Sequence, residues 1–176
     1  GPSGLASANS PFAPGDAAVT RTFRAGYVRD FVVQMSRKYR CLTRQVDGTT
    51  VNSWYLPGDE EGGKKVLQYA SDALALYNRM YGPYPWLELD LVEANLKGGA
   101  GGVEFPGCVT VNSQFYPSAA AASGAGGNGK LAELMQQFSG AGAIDVEAML
   151  EFTVVHEVSH QWWNSTVGSD AQTYPF

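Results

Sequence analysis

From Asp30 onward the chain alternates short apolar, β-branched runs with polar turns. FVVQM at 31–35, KYRCLT at 38–43 and TTVNSWYL at 49–56 read as two or three strands, the last two joined at Asp47-Gly48, a dipeptide suited to a tight hairpin. Pro57-Gly58-Asp59 is a turn. Beyond it Val66, Tyr69, Ala70, Ala73, Tyr77, Met80 and Tyr81 recur at three- and four-residue spacing, which predicts a helix with one buried face, stopped by Gly82-Pro83. LELDLVEA at 87–94 sets Leu87, Leu89 and Leu91 against Glu88 and Asp90, the pattern of a half-buried strand, and CVTV at 108–111 predicts another.

Two stretches break this rhythm. Residues 1 to about 20 are rich in Gly, Ala, Ser and Pro and are expected to form a tail, with 1–27 as a flexible linker. Residues 117–143 are low in complexity apart from LAELMQQF, so a mobile Gly/Ala-rich excursion is expected there. Asp145 then suits a helix N-cap, with Ile144 and Met149 placed as a hydrophobic staple. The run VEAMLEFTVVHEVSHQWW at 146–163 has good helix formers and no Gly or Pro. It is apolar nearly all round, which predicts a helix buried inside a larger domain.

Charge and composition narrow the classes. With 12 Lys+Arg against 17 Asp+Glu, the net charge of −5 gives no basic surface for a nucleic-acid backbone, and 44% hydrophobic content fits a globular chain of 176 residues. No apolar run reaches membrane-spanning length, so no membrane contact is expected from this segment, and the compartment is left open. Cys41 and Cys108 stand far apart and outside any CxxC arrangement, which fits free, buried thiols better than a disulfide and leaves the pairing open.

His156, Glu157 and His160 form HEVSH on the last helix, and they include the only two histidines of the chain. Residues four apart share a helix face, so both imidazoles can meet one metal ion while Glu157 sits beside its open position. That is the donor set of a zinc peptidase: two ligands and a carboxylate to take the proton of an activated water. The second motif is GGAGGVEF at 98–105, between two predicted strands. Glycines there let another backbone approach, an edge strand can accept an extended peptide, and Glu104 would project toward a substrate's protonated N-terminal amine.

GGVEF followed some fifty residues later by HEVSHQWW resembles the gluzincin aminopeptidases of the aminopeptidase N and leukotriene hydrolase family, as do GPYPWLELDLVE and HQWWNSTVG. The resemblance runs from about Val28 to Phe176. It implies an α+β, thermolysin-like (zincin) catalytic domain: a small mixed sheet whose edge strand binds substrate, packed on helices that include the HExxH helix. Residues 28–48 would end an N-terminal β domain, and 49–176 would form the first part of the catalytic domain. His156 and His160 would be zinc ligands, Glu157 the general base and Glu104 the anchor of the substrate amine, with Gly101 and Gly102 offering backbone to the peptide. Val103 and Phe105 stand where the family's GxMEN motif often has Met and Asn.

In that family a glutamate eighteen residues past the zinc motif is the third ligand, and here it would fall just past Phe176. The expectation is therefore a piece of a larger enzyme, acting on peptides with a free N-terminus by Zn2+-activated water. The piece alone would be inactive, binding zinc weakly if at all, hydrolysing no peptide, and either self-associating through an apolar patch at Phe152, Val155, Trp162 and Trp163 or standing only as part of something larger. The alternatives are a zinc endopeptidase on the same scaffold and a catalytically inactive peptide-binding relative.

Overall fold

A computed structural model of the protein describes residues 22–24, 26, 28–116, 146–168, 170 and 173. The expected tail, the excursion at 117–143 and the Asp145 cap with its Ile144 staple lie outside the described residues. The architecture is a mixed α+β fold, a five-stranded mixed sheet with two helices packed on one face.

Strands β1 (Arg40–Val46) and β2 (Thr49–Tyr55) form an antiparallel hairpin closed at Asp47 and Gly48, both at positive φ (49° and 88°), as a two-residue turn of matching twist requires. Helix α1 (Glu60–Tyr81) follows, with Glu60 and Glu61 in its first turn facing the positive end of the helix dipole. It carries the chain to β3 (Glu88–Ala94), parallel to β2. Strand β4 (Gly102–Phe105) then turns at Pro106-Gly107 into β5 (Cys108–Asn112), and β5 inserts beside β3 in parallel. The strand order is β1-β2-β3-β5-β4, so β4 forms one edge of the sheet. A 3-10 turn at Ser113–Phe115 follows β5, and helix α2 spans Val146–Ser159.

Alternation decides which residues meet the helices. Val51, Leu89, Leu91, Val109 and Val111 point inward and pack with Val66, Leu67, Ala70 and Leu74 of α1 and Leu150, Val154 and Val158 of α2. The helices are tied at their surface by Lys65 Nζ, 2.6 Å from Glu147 Oε2, and by the Tyr69 hydroxyl, which donates to Glu147 Oε1. Among the described residues no helix is long and apolar enough to cross a membrane.

The structure corrects several expectations. FVVQM is not a strand: residues 31–35 cross the sheet face opposite the helices, where Gln34 donates to Thr110 and the Tyr39 hydroxyl to the Glu93 carbonyl, so side chains replace ladder bonds. The buried stripe of α1 includes Leu67 and Leu74 and leaves Met80 and Tyr81 exposed, because the helix outruns the sheet at its C-terminal end. Strand β3 keeps the expected alternation from Glu88 to Leu91, but Val92 and Glu93 are both buried, Glu93 on the helix-facing side with Leu89 and Leu91 and Val92 on the opposite face. Cys41 and Cys108 are free and half-buried, and two intervening strands, about 14 Å, keep them from pairing.

Glu93 is the unexpected member of the core. It sits on the helix-facing side of β3 with 1% of its surface exposed, and its Oε2 accepts from the Leu56 amide at 2.7 Å. Burial pushes its carboxyl up to about 7; the Leu56 amide opposes the shift, and the hydrogen-bonded Asp59 carboxyl adds to it. The folded state thus favours protonated Glu93. That stabilisation is whole below the ordinary carboxylate value and is lost as pH rises through about 7, on the order of 3 kcal/mol in all. Glu93→Gln mimics the protonated form. Urea unfolding from pH 4.5 to 8 should show the variant gaining on the native chain as pH rises, by roughly that amount; a pH-independent difference would contradict this account of Glu93.

Candidate active site

Helix α2 and the edge strand β4 build the site between them. The helix ends at Ser159, not at Trp163 as the apolar run suggested, because the last carbonyls are drawn into tighter bonds: Ser159 Oγ donates to the His156 carbonyl, and the Gln161 amide to the Val158 carbonyl. His160 stands one residue beyond that end and still lies over His156. The two Nε2 atoms are 3.2 Å apart, with the rings edge to face. Phe152, one turn before His156, stacks on its ring at a centroid distance of 5.7 Å and fixes its plane.

The expectation of an all-round buried helix holds for one face only. Leu150, Val154 and Val158 are buried, whereas Phe152 is 61% exposed and His156 is also exposed. Of the side chains expected in an apolar patch, Phe152 and Trp163 are exposed, Val155 is half-buried and Trp162 is buried. The Trp162 indole packs edge-on against Tyr77, and its Nε1 donates to the Gly82 carbonyl at the end of α1.

Glu157 turns inward, toward the sheet. In β4, Gly102 and Glu104 pair with Val111 and Val109, so by alternation both face α2, while Val103 and Phe105 face away. Glu157 lies directly on Gly102: a Cβ there would stand 2.5 Å from Glu157 Cγ and 2.7 Å from its Oε1. Glycine at 102 is thus required by the carboxylate beneath it. The Gly101 carbonyl accepts from the Asn112 amide, which fixes the start of the strand.

Burial, and secondarily the Glu104 carboxylate, push the Glu157 carboxyl up to about 7. Ligand atoms of Glu104, Glu157 and His160 all lie within 4.8 Å of one another. The structure therefore brings together His156, Glu157, His160, Glu104 and Gly102, and keeps Gly101 behind them. A carboxyl near 7 takes up and releases protons at neutral pH, as a general base must.

The imidazole pair fits a zinc ion. Tetrahedral Zn–N bonds of about 2.0–2.1 Å place two ligand nitrogens about 3.3 Å apart, against the 3.2 Å found. Glu157 Oε2 is buried without a hydrogen-bond partner, a polar atom held ready beside that position.

Two amide side chains hold these parts in place, and neither stood out in the sequence. Gln161 is fully buried; its Oε1 accepts from the Gly107 amide at 2.8 Å and its Nε2 donates to the Phe105 carbonyl at 3.1 Å, so it grips both sides of the β4–β5 turn. Asn112 donates to the Ala100 and Leu96 carbonyls and shapes the glycine loop ahead of β4. Each amide directly follows a motif, HEVSH or CVTV, and nothing in the sequence marks either as buried.

Compared with models of known protein families and with curated proteins, the sequence matches none.

Replacing Gln161 with Leu should leave a buried N–H and a buried C=O unpaired, at about 1–3 kcal/mol for each orphaned group. Urea denaturation of Gln161→Leu should show a loss of that order, and a change under 0.5 kcal/mol, the range of an ordinary surface substitution, would remove Gln161 as the clamp.

Proposed function

We propose that this protein is a zinc metallopeptidase, an aminopeptidase of the thermolysin-like gluzincin kind, that removes N-terminal residues from peptides. The observation that carries the reading is the convergence of two separate motifs: HEVSH on α2 and GGVEF on β4 meet at Glu157, Glu104 and His160. Accidental motifs far apart in sequence have no reason to meet. The mixed sheet with an open edge strand beside the HExxH helix also suits a thermolysin-like fold. The positions that depart from the family's motif, Val103 and Phe105, lie on the sheet face away from the cluster.

His156 and His160 would hold the zinc ion, which supplies Lewis acidity and brings the acidity of water into the neutral range. The chain's own groups do the rest. An extended peptide pairs with the free side of β4, which sets its backbone along the edge of the sheet. Glu104 receives the peptide's terminal ammonium by a charge-assisted hydrogen bond, so a free N-terminus is favoured. Glu157 accepts the proton of the attacking water and delivers it to the departing amine.

In the enzyme with its third zinc ligand in place, Glu157→Gln keeps the side chain's size but cannot accept the proton. Hydrolysis of an unblocked peptide should fall by about 10²–10⁴-fold while zinc content stays near that of the native protein; native-like turnover would sink the mechanism. Gly102→Ala tests the packing argument. The added methyl must displace Glu157, so turnover should fall by roughly 10²-fold, as misplacing a catalytic group by about 1 Å does, with zinc content unchanged. Full activity in that variant would mean that Glu157 does not work from its position on Gly102.

A further inference from the structure

A concave site that shares no residue with the histidine cluster lies where the β1–β2 turn meets the C-terminal end of α1. It is a cleft of about 270 Å³ lined by Asp47, Thr49, Asn78, Arg79, Pro83 and Tyr84. Ligand pockets run from about 300 to 1,000 Å³, so a cleft of this size takes only a small molecule. Thr49 and Tyr84 are its buried members, while Asp47, Arg79 and Pro83 are exposed.

One amide frames the cleft. Asn78 Nδ2 donates to Asp47 Oδ2 at 3.0 Å, and Asn78 Oδ1 accepts from the Tyr84 amide at 2.8 Å, so the hairpin turn and the chain beyond α1 are held to the same side chain. Among the described residues Asp47 Oδ1 accepts no hydrogen bond. The guanidinium of Arg79, the basic residue in the last turn of α1, has neither a hydrogen bond nor an ion pair among them. Opposite charges thus line one small cleft without meeting each other. Asn78 holds the carboxylate in place, and a molecule carrying both charges can bridge the gap.

We propose that this cleft binds a small zwitterion, a free α-amino acid, with its ammonium group on Asp47, its carboxylate on the Arg79 guanidinium and its side chain against Pro83 and Tyr84. A simple anion satisfies Arg79 alone and a simple cation satisfies Asp47 alone; each leaves the other charge as it was. The inference stands on its own residues and does not depend on hydrolysis at the histidine pair. Under the proposed peptidase activity, the cleft takes the class of molecule that hydrolysis releases, at a place separate from the one that releases it.

The test is an amide chemical-shift titration of the full 176-residue chain with L-leucine, N-acetyl-L-leucine and L-leucinamide. Leucine should bind in the millimolar range, as two solvent-exposed charge contacts allow, and should shift the amides of Gly48, Asn78 and Tyr84. The acetylated compound lacks the ammonium group and the amide lacks the carboxylate, so each should bind about fivefold more weakly. Asp47→Asn and Arg79→Gln should each weaken leucine by about the same factor. In addition, Asp47→Asn should cease to distinguish leucine from its acetylated form, and Arg79→Gln should cease to distinguish it from leucinamide. Both variants suit the fold, because asparagine accepts the positive φ of 49° at position 47 and glutamine is a good helix former. The proposal is overturned if leucine shifts no amide of the cleft, if either variant binds leucine like the native chain, or if both blocked compounds bind as tightly as leucine. Shifts confined to α2 and β4 would place leucine at the histidine cluster, which overturns this proposal and leaves the peptidase reading standing.

Discussion

The grip of one buried amide on a hairpin turn governs the rest of the site. Gln161 follows the HExxH helix and reaches the β4–β5 turn, accepting from Gly107 and donating to Phe105. Without that pair of bonds the distance between Glu157 and Glu104 would depend far more on apolar contact. Apolar contact is not directional. A site built on two carboxylates and two imidazoles needs direction, and a planar amide with one donor side and one acceptor side supplies it.

The rest of the cluster follows from that anchorage. Because the turn is fixed, the alternation of β4 aims positions 102 and 104 at the helix. Because Gly102 carries no side chain, Glu157 can lie against the strand, and being pressed there both removes it from water and sets it next to a second carboxylate. The raised pKa of Glu157 is thus a product of packing. Glu93 shows the same physics away from the site, where burial dominates and a neighbouring carboxyl adds to it.

Much of this was legible in the sequence because it depends on periodicity and short spacing. The Asp47-Gly48 hairpin, the strands at 40–46, 49–55 and 108–112, and the placing of His160 over His156 all follow from local rules. What escaped depends on tertiary arrangement. β3 carries a glutamate, Glu93, on the helix-facing side with Leu89 and Leu91, and its burial there comes from the packed helices. FVVQM has the composition of a strand, but it lies across the face of the sheet, held by side-chain bonds such as that from Gln34 to Thr110. Gln161 and Asn112 carry no pattern of their own, since an amide that pairs with a distant backbone looks in sequence like any solvated residue. The adjacency of Glu104 to Glu157 escaped for the same reason, because it arises only when the edge strand meets the helix.

The uneven use of β4 has a consequence for altering the protein. Its odd and even positions answer to different masters: 102 and 104 are held by what lies beneath them, whereas 103 and 105 look out from the opposite face. Substitutions at Val103 and Phe105 can therefore change the shape and greasiness of the sheet's outer rim while the acid groups keep their places. For anyone reshaping what slides along that edge, those two side chains are the handle.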